Sequence, residues 1–266
     1  MIDFVTGPTL TLLFLLGWFT SFSQSTIPLP AHSSMDYEQS RPLFSALQLR
    51  YASVEADVFL VNGELLVGSE VNNLIPGRTL GNLYLEPLRL LSMRNGGQIY
   101  AETTSPLILI VDIKTAAEAT YQQLERALGP YERMLTQFTP DSTKPGAITV
   151  VVSGNRPRGL MENQAQRFSA YDGNLTDLTG GNVNPNFMPV ISGDWGSVFA
   201  WHGAGNMPEE ERQRLDTFSQ LARNSNVKLR FLATPELPSV WQELNNARVG
   251  LIEAEKIEAL SQILNP

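Results

Sequence analysis

The stretch Leu107-Ile-Leu-Ile-Val-Asp-Ile113 (LILIVDI) decides the fold class. Six of its seven residues are apolar and they do not alternate with polar ones, so both faces of the strand must be covered. Parallel sheets clothed in helices meet that demand. Outward from this strand, short β-branched runs at Ser53–Val61, Ala147–Val152, Arg167–Tyr171, Met188–Ser192, Lys228–Ala233 and Val249–Ile252 read as further strands. Stretches with helical spacing fall between them, at Arg41–Leu49, Leu80–Arg94, Ala116–Gln137, Pro208–Asn224, Leu237–Asn246 and Lys256–Leu264. Seven or eight β/α units in roughly 240 residues is the rhythm of one (β/α)8 barrel of the TIM type. A doubly wound open sheet is the alternative, but no glycine-rich dinucleotide turn follows an early strand.

The whole chain has 266 residues, 42% of them hydrophobic and 17% charged, which suits a single domain with its own core. No Pro/Gly/Ser-rich linker divides it. It contains no cysteine, so disulfides, zinc-thiolate sites and thiol nucleophiles are excluded and any catalysis runs on oxygen and nitrogen groups. A formal charge of -8 argues against a nucleic-acid partner. Only two histidines are present, His32 and His202.

Leu10 to Phe19 (LTLLFLLGWF) has the length of a signal-peptide core and is too short to span a bilayer. With Ser21 and Ser23 ahead of Gln24, residues 1–23 are expected to be a signal peptide and residues 24–266 the exported domain, periplasmic or extracellular, with no transmembrane span after cleavage. Asp3, with no Lys or Arg beside it, leaves an uncleaved anchor or a different start as alternatives. Thr26 to Pro30 then reads as an exposed lead-in. The sequence does not fix the oligomeric state.

Groups at the C-terminal ends of barrel strands share one pocket, so the polar residues that close each apolar run point to the site. Most are carboxylates. Glu55 and Asp57, two apart, lie on one face of a strand, and LILIVD ends in Asp112 with Lys114 two further on. Later strand ends offer Asn155, Asp172, Asp194, Glu236 and Glu253. Three carboxylates converging on one mouth repel one another without a cation, and all-oxygen ligation suits magnesium or calcium. The alternative on spacing alone is that Glu55 and Asp57 pair with Lys or Arg or point outward. Trp195 and Trp201 are candidates for a substrate-facing wall, whereas Trp241, in helical phase with Leu237 and Leu244, reads as core.

Several motifs run in order along the chain: His32-Ser-Ser-Met-Asp36-Tyr37, Arg41-Pro-Leu-Phe44, Ser53-Val-Glu55-Ala-Asp57-Val, Leu65-Leu-Val-Gly68-Ser69-Glu70 and Val111-Asp112-Ile113-Lys114. Tyr171-Asp172-Gly173, Ser192-Gly193-Asp194-Trp195, Phe199-Ala-Trp201 and Arg230-Phe-Leu-Ala-Thr234-Pro-Glu236 follow. Together they resemble the glycerophosphodiester phosphodiesterase and phosphatidylinositol-specific phospholipase C-like barrel superfamily, in particular its altered inheritance of mitochondria protein 6 branch. That branch reads HxHNDY, RPLFxAL, SVEADV and LLVGHD.

The resemblance implies a phosphodiester hydrolase with one divalent metal and two acid/base histidines, acting on a small-molecule or lipid-headgroup phosphodiester. Its metal ligands map onto Glu55, Asp57 and Asp112, and Lys114 maps onto a phosphate-facing cation. The histidines depart from the pattern: Ser34 stands at the second histidine of HxHNDY and Ser69 at the histidine of LLVGHD. His32 is then the expected proton-transfer residue, with His202 as a rescue from a loop. The last strand ends in Glu253-Ala-Glu255, where the superfamily often has asparagine or threonine next to aspartate. A metal- and phosphate-binding barrel without turnover is the alternative function.

Overall fold

A computed structural model describes residues 27–265; the expected signal segment, residues 1–23, lies outside them. Eight parallel strands form a nearly closed barrel: β1 (Leu29–Ser33), β2 (Tyr51–Val61), β3 (Leu107–Ile113), β4 (Ile148–Gly154), β5 (Ser169–Asn174), β6 (Val190–Asp194), β7 (Lys228–Leu232) and β8 (Ile252–Ala254). From β1 to β7 each pairs with the next in sequence, and β8 pairs with β1. The ring closes between β7 and β8 through a single parallel bridge, Arg230 to Leu251, with the Leu251 N–H donating to the Leu229 carbonyl at 2.9 Å. The expected (β/α)8 barrel is the fold.

LILIVDI is β3 residue for residue, flanked by β2 and β4 and buried along almost its whole length. Its two faces serve different layers. Ile108 and Ile110 join Val151, Ala170, Val190 and Leu251 in a small apolar cluster inside the barrel, while Leu107, Leu109, Val111 and Ile113 pack into the larger core under the helices. The interior is therefore apolar at its floor and polar above.

Several boundaries differ from expectation; the last strand, expected over Val249–Ile252, is Ile252–Ala254, and the helix expected over Arg41–Leu49 is confined to Phe44–Gln48. Leu29 and Pro30, expected in an exposed lead-in, open strand β1. Proline has no N–H for a ladder, and the pairing of β1 with β2 slips between Leu29 and His32, which accommodates it. The helix expected over Ala116–Gln137 stops at Leu128, where Gly129-Pro130 turns the chain into one 3-10 turn.

Strand β2 runs past the barrel rim and folds back through Asn62-Gly63, both at positive φ, into a short antiparallel strand, Glu64–Val67. The hairpin returns the chain to the mouth, where the Gly68 N–H donates to the Asp57 carbonyl at 3.2 Å. Ser69 is next in sequence. Among the described residues no helix is long and apolar enough to cross a membrane.

Candidate functional site

Glu55 and Asp57 sit two apart on β2, and Asp57 is the direct cross-strand neighbour of Asp112 on β3. One oxygen from each of Glu55, Asp57 and Asp112 lies within 4.8 Å of the others, so the three carboxylates expected to converge do so. Lys114 reaches into the same cluster, its Nζ 3.0 Å from Asp57 Oδ2 and 3.2 Å from Asp112 Oδ1. The turn from β4 leaves Gly154 against Asp112 at φ +65°; a Cβ there would overlap Asp112 Oδ1 and stand 2.6 Å from the Ile113 carbonyl oxygen. Only glycine fits that approach.

The loop after β1 builds the other wall. Asp36 is fully buried; its Oδ2 accepts the Leu43 N–H at 2.5 Å and the Tyr84 hydroxyl at 2.9 Å. That fixes the loop carrying Tyr37, whose hydroxyl donates to Asp57 Oδ2 at 3.0 Å. Asp57 Oδ2 is thus engaged by Tyr37 and Lys114, whereas Oδ1 is buried with no hydrogen-bond partner.

Below the mouth lies a layer centred on Arg230, a residue that the sequence reading did not single out. Its guanidinium is fully buried inside the barrel. Nη1 makes a very short contact with Glu55 Oε2 and lies 2.9 Å from His32 Nε2, and Nη2 donates to Asp172 Oδ2 at 3.0 Å. Asp172 also accepts from Ser153 Oγ and Ser192 Oγ, each at 2.8 Å. The signal in the sequence was an arginine between the apolar residues of KLRFL, which a buried strand accommodates only opposite an interior anion.

His32 belongs to this layer rather than to the mouth. It is fully buried, with Nδ1 2.9 Å from Ser53 Oγ and Nε2 3.1 Å from Glu55 Oε2. Burial lowers its pKa, with Arg230 adding to the effect against the Glu55 hydrogen bond. Both ring nitrogens are occupied, so His32 braces Glu55, which corrects its expected role as a proton shuttle. His202 is exposed on its loop.

The two tryptophans also differ from expectation. Trp195 and Trp201 are buried, and their indole N–H groups donate to the carbonyls of Trp201 and Ala204 at 3.0 Å. Trp195 packs on Phe199 and edge-on to Phe231, in the layer between strands and helices. They are core, not a substrate wall, because an indole with its N–H satisfied gains most from full burial. Trp241 is core as expected. Asn155, Asp194 and Glu236 serve local structure, bonding the Thr115 carbonyl, the Ser197 N–H, and the N–H groups of Glu255 and Lys256.

Electrostatics separate the carboxylates. Burial pushes Glu55 up, but Arg230 and His32 outweigh it and hold the carboxyl down to about 2. Asp57 is pushed up to about 6 by burial and by Glu55, against the pull of Lys114. Asp112 is raised by the same causes, and burial lifts Asp36 to about 6. The folded chain therefore keeps protons on Asp57, Asp112 and Asp36 that the unfolded chain has released by about pH 4. With Glu253 shifted in the same sense and the lowered His32 acting in the opposite one, its stability in EDTA falls as pH rises from about 4 to about 7, and Asp57→Asn flattens part of that fall. Urea midpoints measured between pH 4.5 and 8 check this; a midpoint that climbs over that range contradicts it.

This donor set fits a hard divalent cation: three clustered carboxylates, one with a buried and unpartnered oxygen, and two whose pKa is raised by burial and by the neighbouring Glu55 charge. Glu55 has Oε2 occupied by Arg230 and His32, which leaves Oε1 for a ligand.

The chain is similar to several known proteins. The altered inheritance of mitochondria protein 6 homolog of Arthroderma benhamiae is 29% identical over 274 residues, covering 90% of this chain and 85% of that one. Altered inheritance of mitochondria protein 6 of Eremothecium gossypii is 27% identical over 265 residues, covering 87% and 68%. A crystal structure of glycerophosphodiester phosphodiesterase from Agrobacterium tumefaciens superposes with a TM-score of 0.48 at 11% identity, covering 87% of this chain and 97% of that one. The AIM6-like phosphodiesterase domain matches residues 20–172, more than half of the sequence and every residue of the carboxylate cluster, and the chain belongs to that family.

Proposed function

We propose that the protein is a metal-dependent phosphoric diester hydrolase acting on a glycerophosphodiester or another lipid-derived phosphodiester. The observation that carries this reading is the convergence of Glu55, Asp57 and Asp112 beside Lys114 at the barrel mouth. Glu55, Asp57 and Asp112 hold the cation, magnesium or calcium. Once bound, it supplies positive charge for the phosphoryl oxygens as negative charge builds on them. Lys114 binds a phosphate oxygen, and the membership in a phosphodiesterase family supports the substrate class. Tyr37, Arg230 and His32 fix the orientation of the carboxylates, so little reorganisation is needed when substrate arrives.

A second reading is favoured by Ser34, Ser69 and the engagement of both His32 nitrogens: a barrel that binds metal and a phosphorylated ligand without turning it over. One assay separates them. The full chain is incubated with bis(p-nitrophenyl) phosphate and with a glycerophosphodiester, in EDTA, magnesium or calcium. Turnover that EDTA removes and the metal restores is the expected result. No turnover by the native chain, with turnover appearing in Ser69→His, establishes the binding protein instead.

The export reading of residues 1–23 is part of the same proposal. N-terminal sequencing of the secreted product is expected to begin at Gln24.

A further inference from the structure

Resting on the hydrolase reading, we propose that Glu253 is the general acid that protonates the leaving alcohol. Proton transfer in this barrel needs an inward-facing titratable group that is not committed to a cation or to structure. Among the described residues the candidates are few. Glu55 and Asp172 are bound by Arg230, Asp57 and Asp112 are bridged by Lys114, and His32 has both nitrogens engaged. Glu253 is in no ion pair among the described residues.

Its placement suits the task. Strand β8 pairs with β1 in a register that sets Glu253 beside His32, on the face that looks into the barrel. The carboxyl is partly exposed, and one oxygen accepts the Ala233 N–H at 3.2 Å, which orients the group and leaves the other oxygen for substrate. Ser34, one step beyond the end of β1, donates its N–H to the carbonyl of Ala254 at 3.3 Å.

The charged groups that act on Glu253 come from three strands and the turn that follows its own. Arg230 on β7 favours the anion; Glu55 on β2 and Glu255 oppose it, and neutral His32 lies alongside on β1. Burial is the largest influence and, with Glu55, pushes the carboxyl up to about 7, so that the acid form persists near neutrality.

In the reaction, the oxygen of a water molecule forms a new bond to phosphorus as the bond from phosphorus to the leaving alkoxide oxygen breaks. Glu253 gives its proton to that leaving oxygen. The proton released by the attacking water passes to solvent, which returns one to Glu253, and the products are an alcohol and a phosphomonoester.

Glu253→Gln keeps an acceptor for the Ala233 N–H and removes the acid. A p-nitrophenolate departs without protonation and an alkoxide does not, so two substrates give different answers. For sn-glycero-3-phosphocholine the variant is expected to lose about 10²–10⁴-fold in kcat, and for bis(p-nitrophenyl) phosphate less than about threefold. The native chain alone offers a second test. Its rate on the alkyl substrate falls at alkaline pH along a limb that the nitrophenyl substrate lacks. Equal losses on both substrates, no loss on either, or identical alkaline limbs overturn the assignment of Glu253 while leaving the hydrolase reading in place. Absence of turnover by the native chain on both substrates overturns the two together.

Discussion

Asp112→Asn is expected to abolish turnover while making the metal-free protein more stable. Asp112 and Asp57 are direct cross-strand neighbours, bridged by Lys114 and pressed by Glu55. Removing one charge relieves a like-charge pair, which is worth roughly 0.2–1 kcal/mol on adjacent strands. The same change removes one of the anionic ligands, and loss of metal assistance to phosphoryl chemistry costs several kcal/mol, or about 10³-fold in rate. Opposite signs make the outcome specific. A merely structural Asp112 would lose stability and activity together, so kcat/KM and the urea midpoint in EDTA should be measured on the same preparation. A variant that is both less stable and still active contradicts the assignment.

Arg230→Met is expected to give the largest loss of stability of any single substitution in the barrel interior. The guanidinium is fully buried and compensates Glu55 and Asp172, themselves almost inaccessible, with Ser153, Ser192 and His32 completing the layer. Methionine fills much of the volume but leaves two buried carboxylates without their cation, a change that typically costs about 3–5 kcal/mol. For a domain of this size that is a fall in Tm of roughly 10 °C. Adding Glu55→Gln should restore part of the loss, because the two sites share one interaction and their effects do not add. Lys256→Met serves as the comparison. It removes an exposed pair with Glu236 at 3.7 Å and should change stability by less than about 1 kcal/mol. Denaturant unfolding of the four proteins decides; a loss for Arg230→Met no larger than that for Lys256→Met contradicts the account.

These two cases mark where the sequence was legible. LILIVDI, apolar on both faces, reads as a covered strand; its Asp112 and the Glu55/Asp57 pair on one face offered the carboxylates, and the family resemblance favoured a shared site over pairing with Lys or Arg. Period-two placement and strand-end polarity are local properties that survive folding unchanged. Strand β1 was not legible because Leu29-Pro-Ala-His-Ser33 has no β-branched residue and carries a proline, and it holds its place through pairing with β2 and β8. Tertiary context set it.

The roles of single side chains were harder still. The apolar neighbours of Arg230 hint at its burial, but nothing local names the carboxylates 175 and 58 positions away that compensate it across the barrel. Trp195 and Trp201 follow strand ends as a substrate wall would, but their N–H groups meet backbone carbonyls within six residues and the rings turn into the core. His32 reads as a catalytic histidine in its motif, and only the positions of Ser53, Glu55 and Arg230 around it show that its nitrogens are occupied.

The central claim is that the three carboxylates form a divalent-cation site, and calorimetric titration of magnesium and of calcium into the metal-free native chain tests it most directly. One saturable event is predicted, lost in Asp57→Asn and in Asp112→Asn and kept in Lys256→Met. No binding by the native chain, or binding that both carboxylate variants retain, would contradict it.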